Sequence, residues 1–144
     1  MEAKAYGDKV VANLCGPAPI KLLGQKQYYT LFKDLYSCEE HITFLHLKSK
    51  AFQSYKEYEA WVKVQCGVVI KIFSCNQGGE FTSKEFDAHL KNAGTICHLM
   101  VHDSPSSNGT AERANQMHLK CAQAIMMMAG LPKNLWAEAV QHSM

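Results

Sequence analysis

Apolar residues first change their spacing near Ser49, and that change limits what this chain can fold into. Before it they crowd into three short runs, 9–15, 27–35 and 41–47, which read as strands. Gly16-Pro17 closes the first run, and Tyr36-Ser-Cys-Glu-Glu40 separates the other two as an antiparallel pair. Runs two and three are apolar on each face, as central strands under helices are. After the change, Phe52, Tyr55, Tyr58 and Val62 follow one another at intervals of 3, 3 and 4, a single helical face within 49–65. A strand over 68–73 follows Gly67. A short helix capped by Thr82 or Ser83 then carries Phe86, Leu90 and Ala93 and stops at Gly94. Residues 95–100 form a fifth strand, 101–108 a polar loop, and 108–129 a long helix ended by Gly130. Pro132 opens the first turn of a last helix whose inner face holds Leu135, Trp136, Ala139 and Val140. The order is β-β-β-α-β-α-β-α-α. It implies an α/β fold with a mixed five-stranded sheet, its first three strands antiparallel, flanked by helices on both faces.

At 144 residues the chain fits one domain, 1–144, with a sizeable core, and its final helix is expected to be truncated at Met144. A net charge of +2 is too small to argue for nucleic acid by itself. Six dispersed cysteines without a CxxC pair read as free thiols in a reducing, intracellular setting. The charged first nine residues lack the apolar stretch of a secretory leader, and no run approaches the ~20 apolar residues of a membrane span.

Chemistry concentrates in two stretches, Gln77-Gly-Gly-Glu-Phe81 and Asn108-Gly-Thr-Ala-Glu-Arg-Ala-Asn115. The first is a turn after a strand; the second opens the long helix with one carboxylate, Glu112, beside Arg113. A strand end and a helix start are how a fold delivers acidic ligands to one metal site. Here the strand presents Asn76 where a carboxylate is wanted.

With Asn13-Leu-Cys-Gly-Pro17, Phe32-Lys-Asp-Leu-Tyr-Ser37 and Leu131-Pro-Lys-Asn-Leu-Trp-Ala-Glu-Ala-Val140, these stretches closely resemble the integrase catalytic core of copia-type retrotransposon polyproteins. The resemblance runs from about Tyr6 to Met144, with five motifs in order. It implies a ribonuclease-H-like fold and two-metal transesterification that inserts element DNA into a target. An Asp-Asp-Glu triad would hold two Mg2+ or Mn2+ ions. DNA is the implied partner, with a homodimer and nuclear residence. Carried over by position, the triad falls on Asn13, Asn76 and Glu112. The separations are 76 − 13 = 63 and 112 − 76 = 36, the latter leaving the family's 35 residues between the last two.

Two of the three acids are thus amides. An amide oxygen ligates as a dipole but cannot bridge two cations as a carboxylate does. At a partly screened separation of about 4 Å, each lost charge pair is worth on the order of 4 kcal/mol. Impaired metal binding is expected, with Glu112 the one anionic ligand, and no strand transfer. Asn108, Arg113, Asn115 and Lys120 are the residues the resemblance places toward DNA. Cys38, Gln116 and Ser74-Cys75 stand where the family favours arginine or Arg-Ser, which removes positive charge.

Competing sites are weaker. Asp34 reads as a strand-end acid before a metal ligand; Glu39 and Glu40 read as a solvated turn, and Glu80 and Asp87 as acids near a helix start. Cys38 with His41, and His118 with Cys121, do not form the four converging ligands of structural zinc, so none is expected. Ser104-Pro-Ser-Ser107 lacks the strand-turn-helix setting of a nucleophile. Met126 to Met128 read as core packing with one exposed member.

Overall fold

The computed structural model describes residues 2–17, 25–76, 81–100 and 108–142, and only the backbone of Asn76, Met100 and 108–112. Strands β1 (Lys9–Cys15), β2 (Tyr28–Asp34) and β3 (Glu40–Leu45) are followed by α1 (Ala51–Cys66), β4 (Ile72–Asn76) and α2 (Lys84–Ala93). Then come β5 (Ile96–Met100), α3 (Asn108–Ala129) and α4 (Trp136–His142). The strands form one sheet in the order β3-β2-β1-β4-β5. β1 and β2, and β2 and β3, pair antiparallel, while β4 runs parallel to both β1 and β5. The expected element order, mixed sheet and antiparallel opening are all present.

Strand alternation sends residues to two separate cores. On one face Val10, Ala12, Phe32, Phe73 and Cys75 meet Tyr55, Tyr58 and Val62 of α1 and Phe86 and Leu90 of α2. Phe32 stacks on Tyr58 at 4.8 Å, and Tyr55 meets Phe73 edge-on at 4.6 Å. Such ring pairs add to simple burial. On the other face Ile42 and Phe44 pack with Ala122, Ile125 and Met126 of α3 and with Trp136, Ala139 and Val140 of α4.

Helix ends follow local chemistry. Ser83, rather than Thr82, caps α2 by accepting the Phe86 N–H at 3.1 Å. Gly67 and Gly94 end α1 and α2 with φ of 67° and 77°, a left-handed turn that side chains resist.

Three expectations move. β4 spans Ile72–Asn76 rather than 68–73, because the chain leaving Gly67 must first cross to the sheet. Pairing with β1 starts only at Ile72, although Ile70 is already in the core. β3 is an edge strand, half-buried along most of its length, not a central one. Pro132 precedes a tight 3-10 turn, Lys133–Leu135, before α4 begins.

Candidate active site

The β1–β4 register is the foundation of the site. Lys9 pairs with Ile72, Val10 with Phe73 and Val11 with Ser74, a constant offset of 63. Carried two residues further, the offset sets Asn13 level with Asn76, the last residue of β4. Asn13 is in phase with Val11, away from the face that carries Val10 and Phe73 into the α1–α2 core. α3 packs on this second face, chiefly against β1. Its inward stripe is Ala114, Asn115, His118 and Ala122. Position 112, three residues before Asn115, lies about 60° around the helix from it. The observed pairs end at Val11 and Ser74, two residues short of positions 13 and 76, and α3, whose second turn holds position 112, packs on β1. The side chains of Asn76, Asn108 and Glu112, and residues 77–80 and 101–107, lie outside the described residues.

The residues expected to meet DNA divide. Arg113 and Lys120 are exposed on α3. Asn115 is instead only 3 % exposed, and among the described residues both polar atoms of its amide lack a hydrogen-bond partner. Its burial puts it on the sheet side of α3.

Asp34 has a complete set of partners elsewhere. It is fully buried and pairs with Val10, three residues from Asn13 along β1. Its carboxylate accepts the backbone N–H groups of Gly7 at 2.9 Å, Tyr36 at 3.1 Å and Ser37 at 2.7 Å, and the Ser37 hydroxyl at 2.9 Å. This acid holds the β2–β3 turn to the chain entering β1.

Glu40 departs from its expected place in a solvated turn. Its two oxygens bind Lys33 Nζ at 2.8 Å and His118 Nε2 at 2.5 Å, tying the sheet to α3. Burial raises the Glu40 carboxyl, but Lys33 and then His118 outweigh it and hold it below the ordinary carboxylate value. The helical phase of His118 with Asn115 and Ala122 marks it as inward. Its partner, 78 residues away, has no signal in the sequence.

The remaining candidates separate. Cys38 and Cys121 are exposed, while His118 turns inward and His41 packs on the rings of Tyr58 and Trp61. Burial lowers the His41 imidazole. Met126 packs against the α3–α4 core, whereas Met127 and Met128 are both exposed, one more than expected. Among the described residues no three His, Cys, Asp or Glu side chains gather as a metal site. Nor is any helix long and apolar enough to cross a membrane.

A sheet with three antiparallel strands, two parallel additions and a long helix across β1 is a ribonuclease-H-like arrangement. Over 93% of its length the chain superposes on a chain of the simian T-cell lymphotropic virus intasome, whose structure is a complex with the PP2A regulatory subunit B56 gamma. The TM-score is 0.70, sequence identity is 16%, and 47% of that chain is covered, so this likeness speaks for the fold alone. No family model matches the chain. It is 34% identical over 134 residues to the retrovirus-related Pol polyprotein from transposon TNT 1-94 of Nicotiana tabacum. That match takes in 93% of the chain and 10% of the polyprotein. The chain belongs with the integrase cores of copia-type retrotransposon polyproteins.

Proposed function

We propose that this domain is an integrase catalytic core that has lost its metal-dependent chemistry and keeps the capacity to bind DNA. The observation that carries the reading is the constant offset of 63 between the paired residues of β1 and β4, which, continued two residues, would set Asn13 beside Asn76 below the helix that bears Glu112. Two-metal transfer needs anionic oxygens there to hold both ions and activate the attacking oxygen. Two amides and one carboxylate bring one negative charge against four positive. This donor set does not fit a pair of divalent ions, and no catalytic step is assigned to them.

DNA remains a partner in this reading, through Arg113 and Lys120 on the exposed side of α3, with self-association and nuclear residence as in an integration complex. Both cations would neutralise phosphates without reading sequence. Incubation of the chain with a nicked or blunt duplex and Mg2+ or Mn2+ is expected to give neither nicking nor strand transfer. Binding to the same duplex should weaken with salt and weaken further in Arg113→Ala. Metal-dependent cleavage by the wild-type chain would overturn the loss of chemistry. Binding indifferent to salt and to Arg113 would overturn the retained DNA contact.

A further inference from the structure

We propose that the hollow between the end of β1 and the α3–α4 hairpin binds a small organic anion with an aromatic body. The hollow measures about 550 Å³, within the range of small-molecule sites. Tyr29 and Trp136 supply two rings to its wall, their centroids 6.3 Å apart and their planes tilted by 46°. A further ring can lie against such a pair in the offset or edge-on contacts that aromatic quadrupoles favour. Ala122 and Met126 of α3 line the hollow as well. Met126 is half-buried, and its unbranched thioether adapts to the shape of a guest.

Charge selects an anion. Among the described residues the one charged side chain lining the hollow is Lys133, in the 3-10 turn before α4, and no Asp or Glu joins it. Lys133 is exposed and enters none of the ion pairs among the described residues, so its ammonium can meet the head group of a ligand. Cys15, half-buried in the same lining, adds no negative charge. Burial pushes its thiol up, and Tyr29 opposes that only in part. Cys15 lies two residues beyond Asn13 on β1, so a guest here spans β1, α3 and α4 and stabilises their packing by mass action.

This inference is independent of the metal site and of the DNA contact proposed above. Titration of the chain with anilinonaphthalene sulfonate, followed by fluorescence, is expected to saturate at a single site, and the dye should raise the thermal midpoint. Lys133→Glu should weaken the dye about tenfold while leaving its uncharged analogue, N-phenylnaphthylamine, bound as before. The position is exposed, so the variant should keep the wild-type midpoint without dye. Mass spectrometry after N-ethylmaleimide treatment locates the guest. Bound dye should slow alkylation of half-buried Cys15 and leave exposed Cys38, in the β2–β3 turn, unchanged. Binding that never saturates, or a midpoint lowered by the dye, would mark attachment to partly unfolded chains and overturn the inference. So would equal losses of both dyes in Lys133→Glu, no loss of either, or a Cys15 rate indifferent to saturating dye. Every readout is made without DNA, so none of these results bears on the functional reading.

Discussion

Asp34 and Glu40 flank the same turn, and their partners give them different roles. Asp34 accepts four hydrogen bonds and holds the turn, so Asp34→Ala should destabilise the fold by about 3 kcal/mol or more in chemical denaturation, from stranded buried donors. A wild-type-like midpoint would show that the turn does not depend on it. Glu40 bridges Lys33 and His118. Its carboxyl is depressed in the folded state below the ordinary carboxylate value. The stability it contributes is therefore present above that value and lost as pH falls through the lower, folded one. Glu40→Gln should be less stable than wild type at neutral pH, and the difference should shrink on acidification. Parallel stability curves across the acid range would contradict this linkage. Neither role could be read from sequence. An acid beside a turn looks the same whether its partners are water, the Gly7 N–H or a histidine on a distant helix.

At the scale of elements, helices were more legible than strand boundaries. The 3-3-4 spacing of Phe52, Tyr55, Tyr58 and Val62 marks α1 because a helix buries one stripe and exposes the rest. β4 is buried wherever described, so no alternation shows where pairing begins; Val68 and Ile70 carry the same apolar signal as Ile72 and Phe73. The β4 anchor is Phe73, fully buried against Phe32, Tyr55 and Phe86. Phe73→Ala should cost about 3–5 kcal/mol. Gly67→Ala offers a contrast. An added Cβ meets nothing within 4 Å, so only the left-handed φ of 67° opposes it, at about 1–2 kcal/mol. Equal losses in the two variants would mean that packing against β4 is not what holds the sheet to α1 and α2.

Over the whole molecule, five short motifs anticipated a topology that spacing alone left open, because only strand pairing turns a separation of 63 residues into adjacency. The motifs also singled out positions 13 and 76, which differ by the same 63 residues as the paired residues of β1 and β4. They did not foretell that Asn115 faces inward, since a helix start has no fixed phase until the sheet beneath it is in place. One fold can thus keep its cores, caps and register while the charge at its reactive end changes. Titration calorimetry with Mn2+, comparing the wild-type chain with Asn13→Asp/Asn76→Asp, tests that separation most directly. The wild-type chain should give no saturable heat, and the double variant should bind the ion at a site that Glu112→Gln abolishes. Two ions held equally well by the unaltered chain, or a double variant as silent as its parent, would contradict it.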